Sequence, residues 1–184
     1  LIVGAEKMSS VLDWQDRKTC VLFGDGAGAA VLSQSDEANV GVVGSILRTD
    51  GAGVGMLMQP GGGAACPPTL ASVEERKHFL KMNGKEVFKV AVREMEQVIR
   101  ELLAQHSLAA AQIACVVPHQ ANIRILDALA TRLEIPMERF VINIDRYGNT
   151  SAASIPIALD EALAAGRIKA GDYIILVAFG AGLT

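Results

Sequence analysis

From residue 82 onward, apolar stripes at helical spacing alternate with short apolar runs, in the order helix, strand, helix, strand, helix, strand. No other feature constrains the fold as much. Strands separated by helices pair in parallel through right-handed crossovers, and such sheets are covered on both faces. The first helix runs from about Met82 or Gly84 to about His106, with Val87, Ala91, Met95, Val98 and Leu102 on its apolar stripe. Strands are expected at 113–117, 140–144 and 173–179, and further helices at about 123–133 and 151–165, the last closed by Gly166. The fold class is α/β.

Upstream, residues 1–5 and about 19–33 read as two strands, the second rich in glycine at Gly24, Gly26 and Gly28. Glycine in a strand permits close backbone approach. These glycines alternate and no helix follows them, so they do not form the dinucleotide fingerprint, which needs a strand-to-helix turn. A third strand is expected over 40–48, followed by glycine- and proline-rich loops that form an exposed excursion to about residue 73. Phe23-Gly24 followed by Gly26-Ala27-Gly28 is echoed by Phe179-Gly180-Ala181-Gly182, a hint of internal duplication.

The 184 residues are 51% hydrophobic with a formal net charge of -3, which gives no general reason to expect nucleic acid as a partner. Cys20, Cys66 and Cys115 have neither disulfide-like nor metal-like spacing, so a reducing, cytoplasmic setting and no metal are expected. No apolar run approaches the roughly 20 residues of a membrane helix, and no signal peptide is recognisable. The chain begins without Met in a strand-like run and ends just past another, which reads as a fragment of a longer enzyme.

Chemistry concentrates where strands end. His119, in Pro118-His119-Gln120-Ala121-Asn122, sits between the 113–117 strand and the next helix. In open α/β sheets, ligands collect at the carboxyl ends of strands. The nearby helix start disfavours an imidazolium, and a neutral ring can donate to a developing oxyanion. A structural histidine satisfied by backbone is an equally open reading. Asn149 follows the 140–144 strand, and Gly180-Ala181-Gly182 follows the last one. If the strands are neighbours, all three features meet at one edge. His119 and Asn149 then serve as neutral donors to a thioester oxygen, and the glycine-turn amides as a second oxyanion hole. Asn149 is also good turn and cap chemistry. No cysteine has the helix-start setting that would activate it as a nucleophile.

These residues resemble the β-ketoacyl-acyl-carrier-protein synthase III family. The resemblance rests on Pro118-His119-Gln120-Ala121-Asn122-Ile123-Arg124, Tyr147-Gly148-Asn149-Thr150-Ser151, Phe179-Gly180-Ala181-Gly182-Leu183-Thr184, Phe23-Gly24-Asp25-Gly26-Ala27-Gly28 and Met82-Asn83-Gly84-Lys85-Glu86-Val87-Phe88. It covers essentially the whole chain. It implies a thiolase-like αβαβα layered fold, with residues 1–38 ending the N-terminal half and 39–184 forming the C-terminal half without its final strand. It further implies a homodimer with a Cys-His-Asn triad. An upstream cysteine takes an acyl group from acyl-CoA, and a malonyl group on acyl carrier protein then decarboxylates and condenses with it.

By this resemblance His119 and Asn149 are the decarboxylation residues. The Ala181 amide, in its Gly180–Gly182 turn, helps bind the acyl oxygen. Phe179 packs near the triad, and Asn122 supports His119 or a water. Met82, Gly84 and Phe88 line the CoA tunnel, while Lys89 and Arg124 belong to the carrier-protein patch. The alternative for both charges is a solvated helix face. Acyl-CoA is a substrate, and no cofactor is implied. The family's cysteine is absent, so these 184 residues alone are expected to be inactive and to fold poorly. Two other readings compete: a CoA-dependent condensing enzyme of polyketide or other secondary metabolism, and a non-catalytic partner that lacks the cysteine half. The two-histidine pattern of chain-elongating synthases is not matched by His78 or His106.

Overall fold

The computed structural model describes residues 1–37 and 40–184. Its centre is a parallel pair of strands, β5 (Ile113–Pro118) and β6 (Tyr173–Val177), in register from Ile113 beside Tyr173 to Pro118 beside Val177. The long helix α2 (Gly84–Gln105) and α3 (Ile123–Leu133) cover one face, packing Met95, Ile99, Ile125 and Leu129 toward the strands. Side chains alternate across a strand, so Val116 joins that core while Cys115 and Val117 face the opposite side. There they meet Ala158 and Ala162 of α5 (Ser154–Ala164).

Behind α5 lies a second, antiparallel pair, β1 (Ile2–Glu6) with β2 (Gly26–Ala30). The glycines of β2 are explained by this packing. A Cβ on Gly28 would stand 2.9 Å from Pro156 of α5, and one on Gly26 would stand 3.0 Å from Ile157 of the same helix. Helices, sheet, helix and sheet thus follow one another, which is four layers of the expected five-layer αβαβα order. The expected boundary at residues 38 and 39 lies outside the described residues.

Three expected strands are corrected. Residues 19–22 form a turn rather than a strand, with the Thr19 and Cys20 amides both bonded to the Asp16 carbonyl. The 140–144 run is reduced to one bridge, Val116 beside Phe140, before a short helix α4 (Ile144–Tyr147). Residues 42–50 form no strand. They are held against α2 by the Arg48–Glu101 ion pair and by the His106 ring over Gly44. A cleft of about 1030 Å³ separates them from β6, so no strand stands within the roughly 4.8 Å that ladder hydrogen bonds require. The excursion to about residue 73 is largely exposed, as expected. It is bracketed by a short pair, β3 (Leu57–Met58) with β4 (Lys81–Met82), and includes the start of a capped helix α1 (Leu70–Glu74).

Gly28→Val should drive its side chain into Pro156 and cost about 1–3 kcal/mol. Gly51→Ala, where a Cβ meets nothing within 4 Å, should be near neutral. Urea denaturation of the two variants side by side checks the contrast.

Candidate active site

The parallel pairing brings the ends of β5 and β6 to one edge. The His119 amide continues the ladder by donating to the Val177 carbonyl at 2.7 Å, so the histidine lies beside the run into Phe179 and Gly180. Gln120 fixes this corner. Its buried side chain donates to the carbonyls of Pro118 (3.0 Å) and Val141 (2.9 Å) and accepts from the Asn143 amide at 3.1 Å. That ties the end of β5 to the neighbouring 141–143 segment. Nothing in the spacing of Pro-His-Gln revealed this role, because both partners beyond Pro118 are distant in sequence.

Asn149 approaches from the turn after α4. Its amide donates to the Leu22 carbonyl at 2.8 Å and its carbonyl accepts from Gly24 at 3.0 Å, a parallel bridge to Phe23. Gly148 makes the preceding turn at φ +68, a left-handed conformation that favours glycine. The Asn149 Oδ1 accepts from the Ser151 amide at 2.9 Å. The turn-and-cap expectation for Asn149 is met, and the cap leaves its amide nitrogen available. The capping bond uses the oxygen and leaves the amide NH₂ without a partner among the described residues.

The same turn holds the histidine. His119 Nδ1 lies 2.6 Å from Ser154 Oγ at the start of α5, and the ring also contacts the Ser151 backbone. Burial pushes the His119 pKa down to about 4, partly opposed by the Ser151 contact, so the ring is neutral near pH 7. The sequence attributed neutrality to the nearby helix start, whereas here desolvation is the main cause. Asn122 caps α3 by accepting from the Arg124 amide at 2.9 Å and makes no hydrogen bond to the His119 side chain among the described residues.

An ionic cluster steadies the segment before Asn149. Glu161 of α5 accepts from Asn143 Nδ2 (2.9 Å), Tyr147 Oη (2.7 Å) and both terminal nitrogens of Arg146 (2.8 and 2.6 Å). Burial raises the Glu161 pKa, but these donors outweigh it and hold the carboxylate below its ordinary value. Neither Glu161 nor Ser154 stood out in sequence, since each acts through residues brought near by folding.

At the end of β6, Phe179 is buried in the core while Ala181 is exposed. The Gly180 amide donates to Thr184, and the Ala181 amide has no partner among the described residues. Met82 and Phe88 pack half-buried beside the core at the start of α2, and Gly84 is the first residue of that helix. Lys89 pairs with Glu86 at 3.0 Å, whereas Arg124 is exposed without an ion pair among the described residues. The large cleft beside β6 reaches Phe179 but is not lined by His119, Asn149, Met82, Gly84 or Phe88. Cys115 faces the core, and burial raises its thiol pKa, which suits packing rather than nucleophilic chemistry. No helix in the described residues is long and apolar enough to cross a membrane.

A neutral imidazole at the end of β5, an Asn149 amide on the turn after α4, and a glycine turn after β6 suit stabilisation of negative charge on a carbonyl oxygen. Comparison with known proteins agrees with the geometry. Residues 1–51 match the family described as 3-oxoacyl-(acyl-carrier-protein) synthase III, and 103–184 match its C-terminal family. A beta-ketoacyl-(acyl-carrier-protein) synthase III of Desulfitobacterium hafniense (strain Y51) is 50% identical over all 184 residues, which cover 55% of that protein. The crystal structure of a 3-oxoacyl-(acyl-carrier-protein) synthase III from Aquifex aeolicus VF5 superposes with a TM-score of 0.88 at 45% identity, covering 98% of this chain and 54% of that one. A priming beta-ketosynthase of the R1128 polyketide pathway gives 0.83 at 38% identity, covering 98% and 53%. The chain thus spans about half the length of the relatives it matches.

In an NMR titration His119 should stay neutral until about pH 4. Its pKa is depressed on folding, so its contribution to stability is complete above pH 6.5. That contribution is lost as the pH falls toward 4, by at most about 3 kcal/mol. Glu161→Gln should speed amide hydrogen exchange at Gly148 and Asn149 while leaving α2 unchanged. Equal protection in both proteins would show that the cluster does not hold the turn.

Proposed function

The chain belongs to the 3-oxoacyl-(acyl-carrier-protein) synthase III family, and we propose that it supplies the decarboxylation half of such a condensing acyltransferase. The observation that supports this most is a neutral His119 held at Ser154 and Ser151 by the same 149–154 turn that carries Asn149. In the proposed cycle an upstream cysteine thiolate attacks acetyl-CoA or another acyl-CoA, forming an acyl-enzyme thioester and expelling the CoA thiol. A malonyl group carried on acyl carrier protein then loses its carboxylate as CO₂. The electrons of the broken C–C bond move into the thioester, and its oxygen gains negative charge. An imidazole N–H of His119 and the Asn149 NH₂ hold that oxygen. The enolate carbon attacks the acyl-enzyme carbonyl, whose oxyanion meets the Ala181 amide in the Gly180–Gly182 turn, and the cysteine leaves as thiolate. The product is a 3-oxoacyl carrier protein. Every step proceeds without a cofactor, since acyl-CoA is a substrate.

In this reading Phe179 walls the site from the core side, and Asn122 supports the His119 loop through its cap on α3. Met82, Gly84 and Phe88 line the CoA tunnel, and Lys89 and Arg124 meet the acidic carrier protein. Residues 1–38 end an N-terminal half, 39–184 make most of a C-terminal half, and the enzyme is a cytoplasmic homodimer. The likeness to a polyketide-priming ketosynthase supports a second reading, in which the same chemistry serves a different acyl-CoA. Profiling of acyl-CoA substrates separates the two.

The test uses the full gene product that carries the cysteine. It should release CoA from acetyl-CoA and decarboxylate a malonyl carrier protein. Removing either donor, as His119→Ala or Asn149→Ala, should slow decarboxylation by about 10²–10³-fold while cysteine acylation persists. Decarboxylation unaffected by both substitutions would refute the assignment. An intact mass near 19 kDa, the mass of these residues alone, would favour the partner-subunit reading.

A further inference from the structure

We propose that Ser154 is a positioning residue that donates its hydroxyl hydrogen to His119 Nδ1 and thereby keeps the imidazole proton on Nε2. A neutral imidazole has one N–H and one bare nitrogen, and the neighbour of one decides the chemistry of the other. Ser154 is buried, and its Oγ has two partners among the described residues. The Gln120 amide, 3.4 Å away, can only donate, so there Oγ is the acceptor. His119 Nδ1, at 2.6 Å, is then the one acceptor available to the hydroxyl hydrogen. Nδ1 must be bare for the buried hydroxyl hydrogen to have an acceptor among the described residues, and the proton of the neutral ring then sits on Nε2.

The consequence rests on the reading of His119 as a donor to a thioester oxygen. A ring with its proton on Nδ1 would present a lone pair at Nε2 and repel the growing charge. Gln120 strengthens the arrangement, because its side-chain anchors to Pro118 and Val141 fix the backbone amide that orients Ser154 Oγ. Without the hydroxyl, the Ser151 backbone becomes the main polar neighbour of the ring.

The experiment uses the full gene product labelled with ¹⁵N-histidine, with His119 assigned by loss of its signals in His119→Gln. Long-range ¹H–¹⁵N correlation should show Nδ1 as the bare nitrogen and Nε2 as protonated. Ser154→Ala should shift the ring toward the Nδ1–H form and lower kcat for malonyl-thioester decarboxylation by about 10–100-fold, with KM and cysteine acylation little changed. Ser154→Thr, which keeps the hydroxyl, should restore the native tautomer and most of the rate. A protonated Nδ1 in the unmodified protein would overturn the proposal. So would a tautomer ratio that is the same in Ser154→Ala as in the unmodified protein. If the protein decarboxylates nothing, the functional reading fails, while the spectra still decide what Ser154 does to the ring.

Discussion

The parallel pairing of β5 with β6 is the constraint on which the rest of the structure depends. Parallel strands end at the same edge and need long crossovers between them. Here the crossover holds α3, α4 and α5. It leaves from His119 and returns into the strand that leads to Phe179 and Gly180. The site is therefore assembled where the chain exits one strand, passes the Asn149 turn and reaches the end of the other. The helices have a second use. α2 and α3 close one face, and α5 is shared between the β5–β6 pair and the β1–β2 pair.

That shared helix also explains how two polar side chains are held still in an apolar setting. The start of α5 carries Ser154 toward His119, its middle carries Glu161 toward Arg146 and Tyr147, and the turn before it is sewn to residues 22–24 by Asn149. Buried polar groups cost free energy unless each finds a partner. Gln120, Asn143 and Ser154 all have partners. The Asn149 amide nitrogen and the Ala181 amide do not, among the described residues. Unused donors beside a neutral imidazole are where a developing oxyanion gains most.

Much of this was legible in the sequence. α2, α3 and α5 followed from apolar periodicity, and β5 and β6 from short apolar runs between them. His119 and Asn149 stood out because strand ends collect chemistry. The misread strands share a physical cause. Val42, Val43 and Leu47 have the composition of a strand, but a strand exists only where a second backbone completes its hydrogen bonds. The 140–144 run keeps a single bridge at Phe140 because its next residues turn into α4, where Asn143 and Tyr147 serve Glu161 instead.

By itself the sequence determined the α/β class, the helices with a strong apolar stripe, and the strand-end positions of His119 and Gly180–Gly182. It could do so because periodicity and turn chemistry are local properties. Only the tertiary structure decided that His119 is neutral mainly through burial. Only the fold could show that the capping bond of Asn149 frees its amide, and that Ser154, Gln120 and Glu161 hold the arrangement together. Those facts depend on contacts between residues up to 35 positions apart, such as His119 with Ser154, and a linear pattern does not encode which distant hydroxyl will face which ring nitrogen.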